Sequence, residues 1–242
     1  MDENYWLART ELLIGKENIE KLQNSHVLIA GLGGVGGYAA EAICRAGVGE
    51  MTIIDSDVVT VTNRNRQLLA TRSAERQDKI RLMADRLTDI NPDLKLHAVK
   101  VYLKDEKIPD ILNRNFDYVV DAIDTLSPKI FFIKNCVERN LKLISSMGSG
   151  GRLDPSQVKV VDVSESYNCQ FAQVIRKKLH GWNIRTGFKV VFSPEPVSKS
   201  AVIVTENETN KKSTVGTISY MPAIFGLTAA SVVIRDLIEF NG

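Results

Sequence analysis

The sequence predicts an α/β fold in which a doubly wound, mostly parallel sheet carries helices on both faces. Strand-like and helix-like segments alternate up to about Gly151. The strand-like segments are apolar throughout rather than at every second residue, which is the pattern of strands buried on both sides. A third observation is the glycine run GLGGVG, Gly31 to Gly36, placed where a strand gives way to a helix.

The elements follow in order. A first helix is expected over about Leu12 to Gln23, then the strand HVLIA, the glycine turn, and a helix to about Ala46. GEMTIIDSD reads as the second strand. SAERQDKIRLMADRLTDINP reads as a helix, with Ile80, Met83, Ala84, Leu87 and Ile90 on one face and Pro92 just past its end. LKLHAVKVYL and FDYVVDAID are the third and fourth strands. SPKIFFIKNCVERN is a helix with Pro128 in its first turn, and LKLISSMGSGG is a fifth strand ending in glycines. Beyond Gly151 the rhythm changes to short strands (VKVVDVSES, FKVVFSPE, SAVIVT) around a helix, QFAQVIRKKLHGWN. A closing helix, PAIFGLTAASVVIRDLIEF, has Pro222 suited to its first position. The division expected is a nucleotide-binding core over residues 1–151 and an extension, 152–242, that completes the same domain. Thr205 to Gly216 is the candidate mobile loop.

Composition narrows the classes. The chain has 242 residues, 44% hydrophobic and 25% charged, which is ordinary for a globular protein. A net charge of +2 neither demands nor excludes a polyanionic partner. Cys44, Cys136 and Cys169 stand singly; without a C-x-x-C pair a zinc ribbon is excluded and no zinc is expected. So sparse a cysteine count fits a reducing, cytoplasmic setting, and the N-terminus lacks a signal-peptide core. Thr214 to Ile234 is uncharged and long enough to span a bilayer, but Pro222, two glycines and several hydroxyls favour a loop or strand followed by a buried helix. No integral membrane span is expected.

Gly31, Gly33, Gly34 and Gly36 set the G-x-G-x-x-G spacing of a Rossmann-like turn, whose N–H groups can close on a phosphate at a helix N-terminus. Asp55, ending the second strand, can accept from ribose hydroxyls. These features fit a hydride-carrying dinucleotide and ATP equally. The stretch after Asp55 separates them, because it brings Asp57, Asn63, Arg66, Gln67 and Lys79. Two cations suit an enzyme that attacks the α-phosphate of ATP, where charge develops on the phosphate and on leaving pyrophosphate. Taken singly, Asp57, Arg66 and Lys79 would be solvated surface charges. The fourth strand ends in DAID, putting Asp121 and Asp124 at the ligand-binding edge of an open sheet. Asp124 suits Mg²⁺; the plain alternative for Asp121 is a strand-end cap.

GLGGVG, DSDVVTVTNRNRQ, the Lys79 that follows, and DAID together resemble the adenylating fold of the ubiquitin-activating-enzyme-like superfamily. That resemblance implies ATP binding and carboxylate adenylation. It assigns Asp55 to the ribose, Asn63, Arg66 and Lys79 to the phosphates, and Asp124 to Mg²⁺. Arg9, in RTELLIG, matches an N-terminal arginine that the superfamily inserts into the partner subunit's site, which implies a homodimer. The implied catalytic set is Arg9, Arg66, Lys79 and Asp124.

The remainder, with SSMGSGGRLDPSQVKVVDVSES, VIRKKL, VVFSPEP and GTISYMPAIFG, resembles the branch that acts on transfer RNA, the threonylcarbamoyladenosine dehydratases. This implies ATP-dependent dehydration of a modified adenosine next to the anticodon. The threonyl carboxylate would be adenylated and then attacked by a nitrogen of the same group. The alternatives are a sulfur-carrier adenylyltransferase of the molybdopterin or thiamine type, and an NAD-binding protein. A monovalent cation beside SSMGSGG and a sulfur-relay or desulfurase partner remain open.

Transfer RNA should leave a basic footprint. Arg176, Lys177, Lys178, Arg185 and Lys189 lie with His180 in a stretch free of acids, and Lys211 and Lys212 add two more. Phe171, Trp182 and Phe188 could stack bases or belong to the core. Cys169 reads as structural rather than as a functional thiol, and His26 and His97 as strand residues with local partners.

Overall fold

The computed structural model describes residues 5–104, 106–204 and 213–240. Its centre is a seven-stranded sheet. The strands are β1 (His26–Ala30), β2 (Glu50–Asp55), β3 (Lys95–Lys100), β4 (Tyr118–Asp121), β5 (Leu143–Ser146), β6 (Lys159–Asp162) and β7 (Lys189–Phe192). Their order is β3-β2-β1-β4-β5-β7-β6. All pairings are parallel except that of β6 with β7. A second, two-stranded antiparallel sheet joins β8 (Val202–Val204) to β9 (Ser213–Val215).

The helices are α1 (Ala8–Ile14), α2 (Lys16–Gln23), α3 (Gly36–Arg45), α4 (Lys79–Ile90), α5 (Ile108–Ile111), α6 (Leu126–Glu138), α7 (Gln170–His180) and α8 (Tyr220–Leu237). Side chains alternate across a strand, and here both sides are covered. Val27 and Ile29 of β1 join Ile43, Met83 and Phe225, from α3, α4 and α8. Leu28 and Ala30 join Ile108, Phe132 and Ile175, from α5, α6 and α7. The sheet is therefore doubly wound as expected, with β6 and β7 extending it beyond residue 151.

Several boundaries differ from the sequence reading. The first helix is two helices, broken at Gly15, whose φ of 81° no helix accepts. The helix expected from Ser73 begins only at Lys79, and the residues before it form turns. Pro222 is the third residue of α8 rather than the first. The expected mobile loop contributes β9, while 205–212 lies outside the described residues. α8 is long and apolar enough to cross a membrane, yet half of it is buried inside the structure. It packs on α3, where a Cβ on Gly226 would meet the Val35 carbonyl oxygen at 2.3 Å.

Candidate nucleotide-binding site

The strand order reverses around β1, whose neighbours are β2 on one side and β4 on the other. Doubly wound sheets take ligands in the crevice at such a reversal, and here the glycine turn packs on the start of the loop after β4, a Cβ on Gly31 lying 2.8 Å from the Ala122 carbonyl oxygen. The glycine turn fills one wall. Gly31 has a φ of 93° and donates to the Ile54 carbonyl at 2.8 Å. A Cβ on Gly36 would lie 1.8 Å from the Gly31 carbonyl oxygen. Any side chain at these two positions would force the turn open. Gly34 lies under Pro222 of α8, and the space over Gly33 holds the Gln67 side chain, 3.8 Å from a built Cβ. Gly33 thus faces the residues predicted to meet phosphate.

Asp55 ends β2 and is buried. Its Oδ2 accepts the Leu32 N–H at 2.6 Å and its Oδ1 the Asp57 N–H at 2.7 Å. Burial holds its carboxyl above the usual range against the pull of Lys79 and these two donors. Asp55 therefore ties the glycine turn to β2.

Lys79 opens α4 and is only 4% exposed. Its Nζ lies 3.0 Å from Asp57 Oδ2, and its N–H donates to the Asp57 carbonyl. A 3-10 turn, Val61–Asn63, is capped by Thr60, whose N–H donates to Asn63 Oδ1 at 3.2 Å. Arg66 donates to the Thr62 carbonyl and Asn65 Oδ1, both at 2.9 Å. The Arg66 carbonyl oxygen lies 3.3 Å from a Cβ built on Gly34, so this loop lies over the glycine turn. Asn65 donates to the Thr217 carbonyl at 2.9 Å, fastening the loop to the segment ahead of α8.

Asp121 requires a correction. It is fully buried, with Oδ2 held by Lys129 Nζ at 2.7 Å and Ser145 Oγ at 2.6 Å. Its Oδ1 accepts the Ile123 N–H at 3.1 Å. With both oxygens taken inside the protein, Asp121 shapes the loop after β4 from beneath and does not face a ligand. Lys129, which sequence reasoning missed, is fully buried and also donates to the Ile123 carbonyl. Burial pushes its pKa down and Asp121 pulls it back up. Asp124 is exposed on the same loop.

Arg152 was also missed. Buried, it donates to the Ser193, Gly148 and Gly150 carbonyls and to Cys169 Sγ at 3.5 Å. It thereby binds the SSMGSGG loop to the end of β7 and the start of α7. Cys169 is buried against it, which agrees with a structural thiol.

Other candidates lie apart. Arg9 is exposed on α1, and Leu7 beside it packs on Gly47, ahead of β2. That is the sheet edge opposite the glycine turn, so Arg9 does not reach its own chain's site. α7 starts beside Gly148 and descends, placing exposed Lys177, Lys178 and Arg185 toward that far edge. Arg176 donates to the Ser166 carbonyl at 2.7 Å and to Ser166 Oγ. Lys189 is ion-paired with Asp236 at 2.6 Å. Both are held by partners within the chain, and the Lys189 side chain stays 45% exposed. Phe188 is core, Trp182 packs on Phe131 under Lys134, and Lys211 and Lys212 lie outside the described residues.

Fold and site together define a nucleotide-binding α/β protein with a glycine turn at the switch of strand order. Within that class the chain belongs to the ThiF family, whose model matches residues 7–241. It is similar to the tRNA threonylcarbamoyladenosine dehydratase of Bacillus subtilis (strain 168). The identity is 38% over 243 residues, 96% of this chain and 94% of that protein. The crystal structure of the E. coli tRNA N6-threonylcarbamoyladenosine dehydratase in complex with ATP matches with a TM-score of 0.88 at 29% identity, covering 96% of this chain and 93% of that one. The E. coli sulfur carrier protein ThiS adenylyltransferase is 37% identical over 142 residues, 58% of this chain and 56% of that protein.

Proposed function

We propose that the chain is an ATP-dependent enzyme that dehydrates threonylcarbamoyladenosine in transfer RNA by adenylating its threonyl carboxylate. One observation carries this reading: likeness to the dehydratases runs the whole chain, whereas likeness to the sulfur-carrier activator stops at little more than half.

In this reading a carboxylate oxygen attacks the α-phosphorus of ATP and pyrophosphate leaves. A nitrogen of the same group then attacks the acyl carbon, and AMP departs with the carboxylate oxygen. The second step is intramolecular, so positioning suffices and no enzyme nucleophile is needed. The glycine turn gives N–H donors to the phosphates, and Lys79 and Arg66 stabilise charge that grows in the transition state. Asn63 and Gln67 line the phosphates, and Asp55 accepts from the ribose. Asp124 would hold Mg²⁺, whose charge neutralises phosphate oxygens. Arg9 completes the partner subunit's site in a homodimer. Lys177, Lys178 and Arg185 supply backbone contacts to RNA. The setting is cytoplasmic.

The test is product analysis. Protein, ATP, Mg²⁺ and transfer RNA bearing the threonylcarbamoyl group are incubated, and the digested nucleosides are weighed by mass spectrometry. Loss of one water from that nucleoside supports the reading. No mass change, with protein that still binds ATP, overturns it.

A further inference from the structure

Opposite the glycine turn, where β1, β2 and β3 begin, two of the chain's three histidines converge on one carboxylate. Strand register puts them there. His26 pairs with Glu50, Glu50 with Lys95, and Thr52 with His97. Residues two apart on a strand share a face, so His26, Glu50, Thr52, Lys95 and His97 stand on one side of the sheet. One nitrogen from each ring and one Glu50 oxygen lie within 4.8 Å of one another. Glu50 Oε1 is 2.8 Å from His97 Nε2 and 3.5 Å from His26 Nδ1.

We propose that His26, Glu50 and His97 form a binding site for one divalent transition-metal ion of the zinc type. Two imidazoles and a carboxylate are a donor set that such ions take, with water in the fourth position. Metal–ligand bonds of roughly 2.0–2.1 Å in a tetrahedron put ligand atoms roughly 3.4 Å apart, and the two observed separations bracket that value. The surroundings already hold the donors in place. The other nitrogen of His26 bonds Thr52 Oγ1 at 2.9 Å, and Glu50 Oε2 takes Lys95 Nζ at 3.0 Å. Partners of this kind orient metal ligands. The Phe116 ring, 4.6 Å from that of His26, walls one side. The Glu50 and His97 side chains are 26% and 30% exposed, which gives an ion a way in. The single cysteines argue against a thiolate site and leave an imidazole–carboxylate site untouched.

The ion would clip together the starting ends of three adjacent strands, two of which run on to Ala30 and Asp55. Its role is structural, because β2 separates it from the nucleotide by its full length.

The experiment titrates the tag-free full chain with zinc chloride in a calorimeter without nucleotide, and with cobalt(II) as a visible probe. One ion per chain, a tetrahedral cobalt spectrum and a melting temperature raised by several degrees are expected. His97→Ala and Glu50→Gln should each weaken binding at least tenfold, while His180→Ala leaves it unchanged. ATP affinity, expected to be equal in all forms, checks folding; should His97→Ala misfold, Glu50→Gln decides. Absence of binding, an octahedral cobalt spectrum, or equal affinity in the wild type and the Glu50→Gln variant overturns the proposal.

Discussion

Lys79 keeps its ammonium almost out of water beside a carboxylate that is itself mostly solvated, Asp57 at 65% side-chain exposure. A pair so arranged gives up its partner easily, since a phosphate can replace Asp57 without leaving a buried anion behind. Its charge should matter most when phosphate charge peaks. Lys79→Ala is therefore expected to lower turnover about 10²- to 10³-fold, the scale of losing one preorganised stabilising donor, with a much smaller loss in ATP affinity. Single-turnover rates set against equilibrium binding check this, and equal losses would contradict it. The Asp121–Lys129 pair behaves oppositely, because both partners are fully buried. Lys129→Met strands a buried carboxylate and should cost about 3–5 kcal/mol in denaturant unfolding, with Asp121→Asn restoring part of it.

At the scale of elements, the close approach of α8 to α3 depends on position 226. A methyl there would meet backbone at Val35, which has no rotamer to yield. Gly226→Ala should cost about 1–3 kcal/mol by overpacking, seen as a lower melting temperature, and Pro222 should carry the shift to Gly34. The glycine turn and both flanking elements were legible because each is a local pattern with a local cause. The misplaced boundaries have physical sources. Gly15 breaks a helix whose apolar periodicity continues across it, and the start of α4 is set by a bridge between Val58 and Asp78 rather than by a cap. Lys129 and Arg152 were invisible for a different reason. A lysine in an amphipathic helix and an arginine after glycines read as surface charges until Asp121 or the Ser193 carbonyl closes on them across the fold.

The whole molecule leaves one helix unfinished. α1 buries none of its residues, and Trp6, Leu12 and Leu13 stand 47%, 74% and 83% exposed around Arg9. Such a surface suits a second copy better than water. It also sets Arg9 on the edge away from its own glycine turn, so an arginine that serves catalysis must serve a neighbour. In the proposed homodimer, two-fold symmetry would give two sites, each built from both chains. Arg9→Ala and Lys79→Ala should each be nearly inactive alone. Unfolded together and refolded as a mixture, half of the dimers carry one site with both native residues, so about a quarter of wild-type activity should return. Sedimentation of the wild type and both variants would check the dimer itself. Failure to regain activity, with dimers exchanged as shown by differently tagged chains, would place Arg9 outside the neighbouring site.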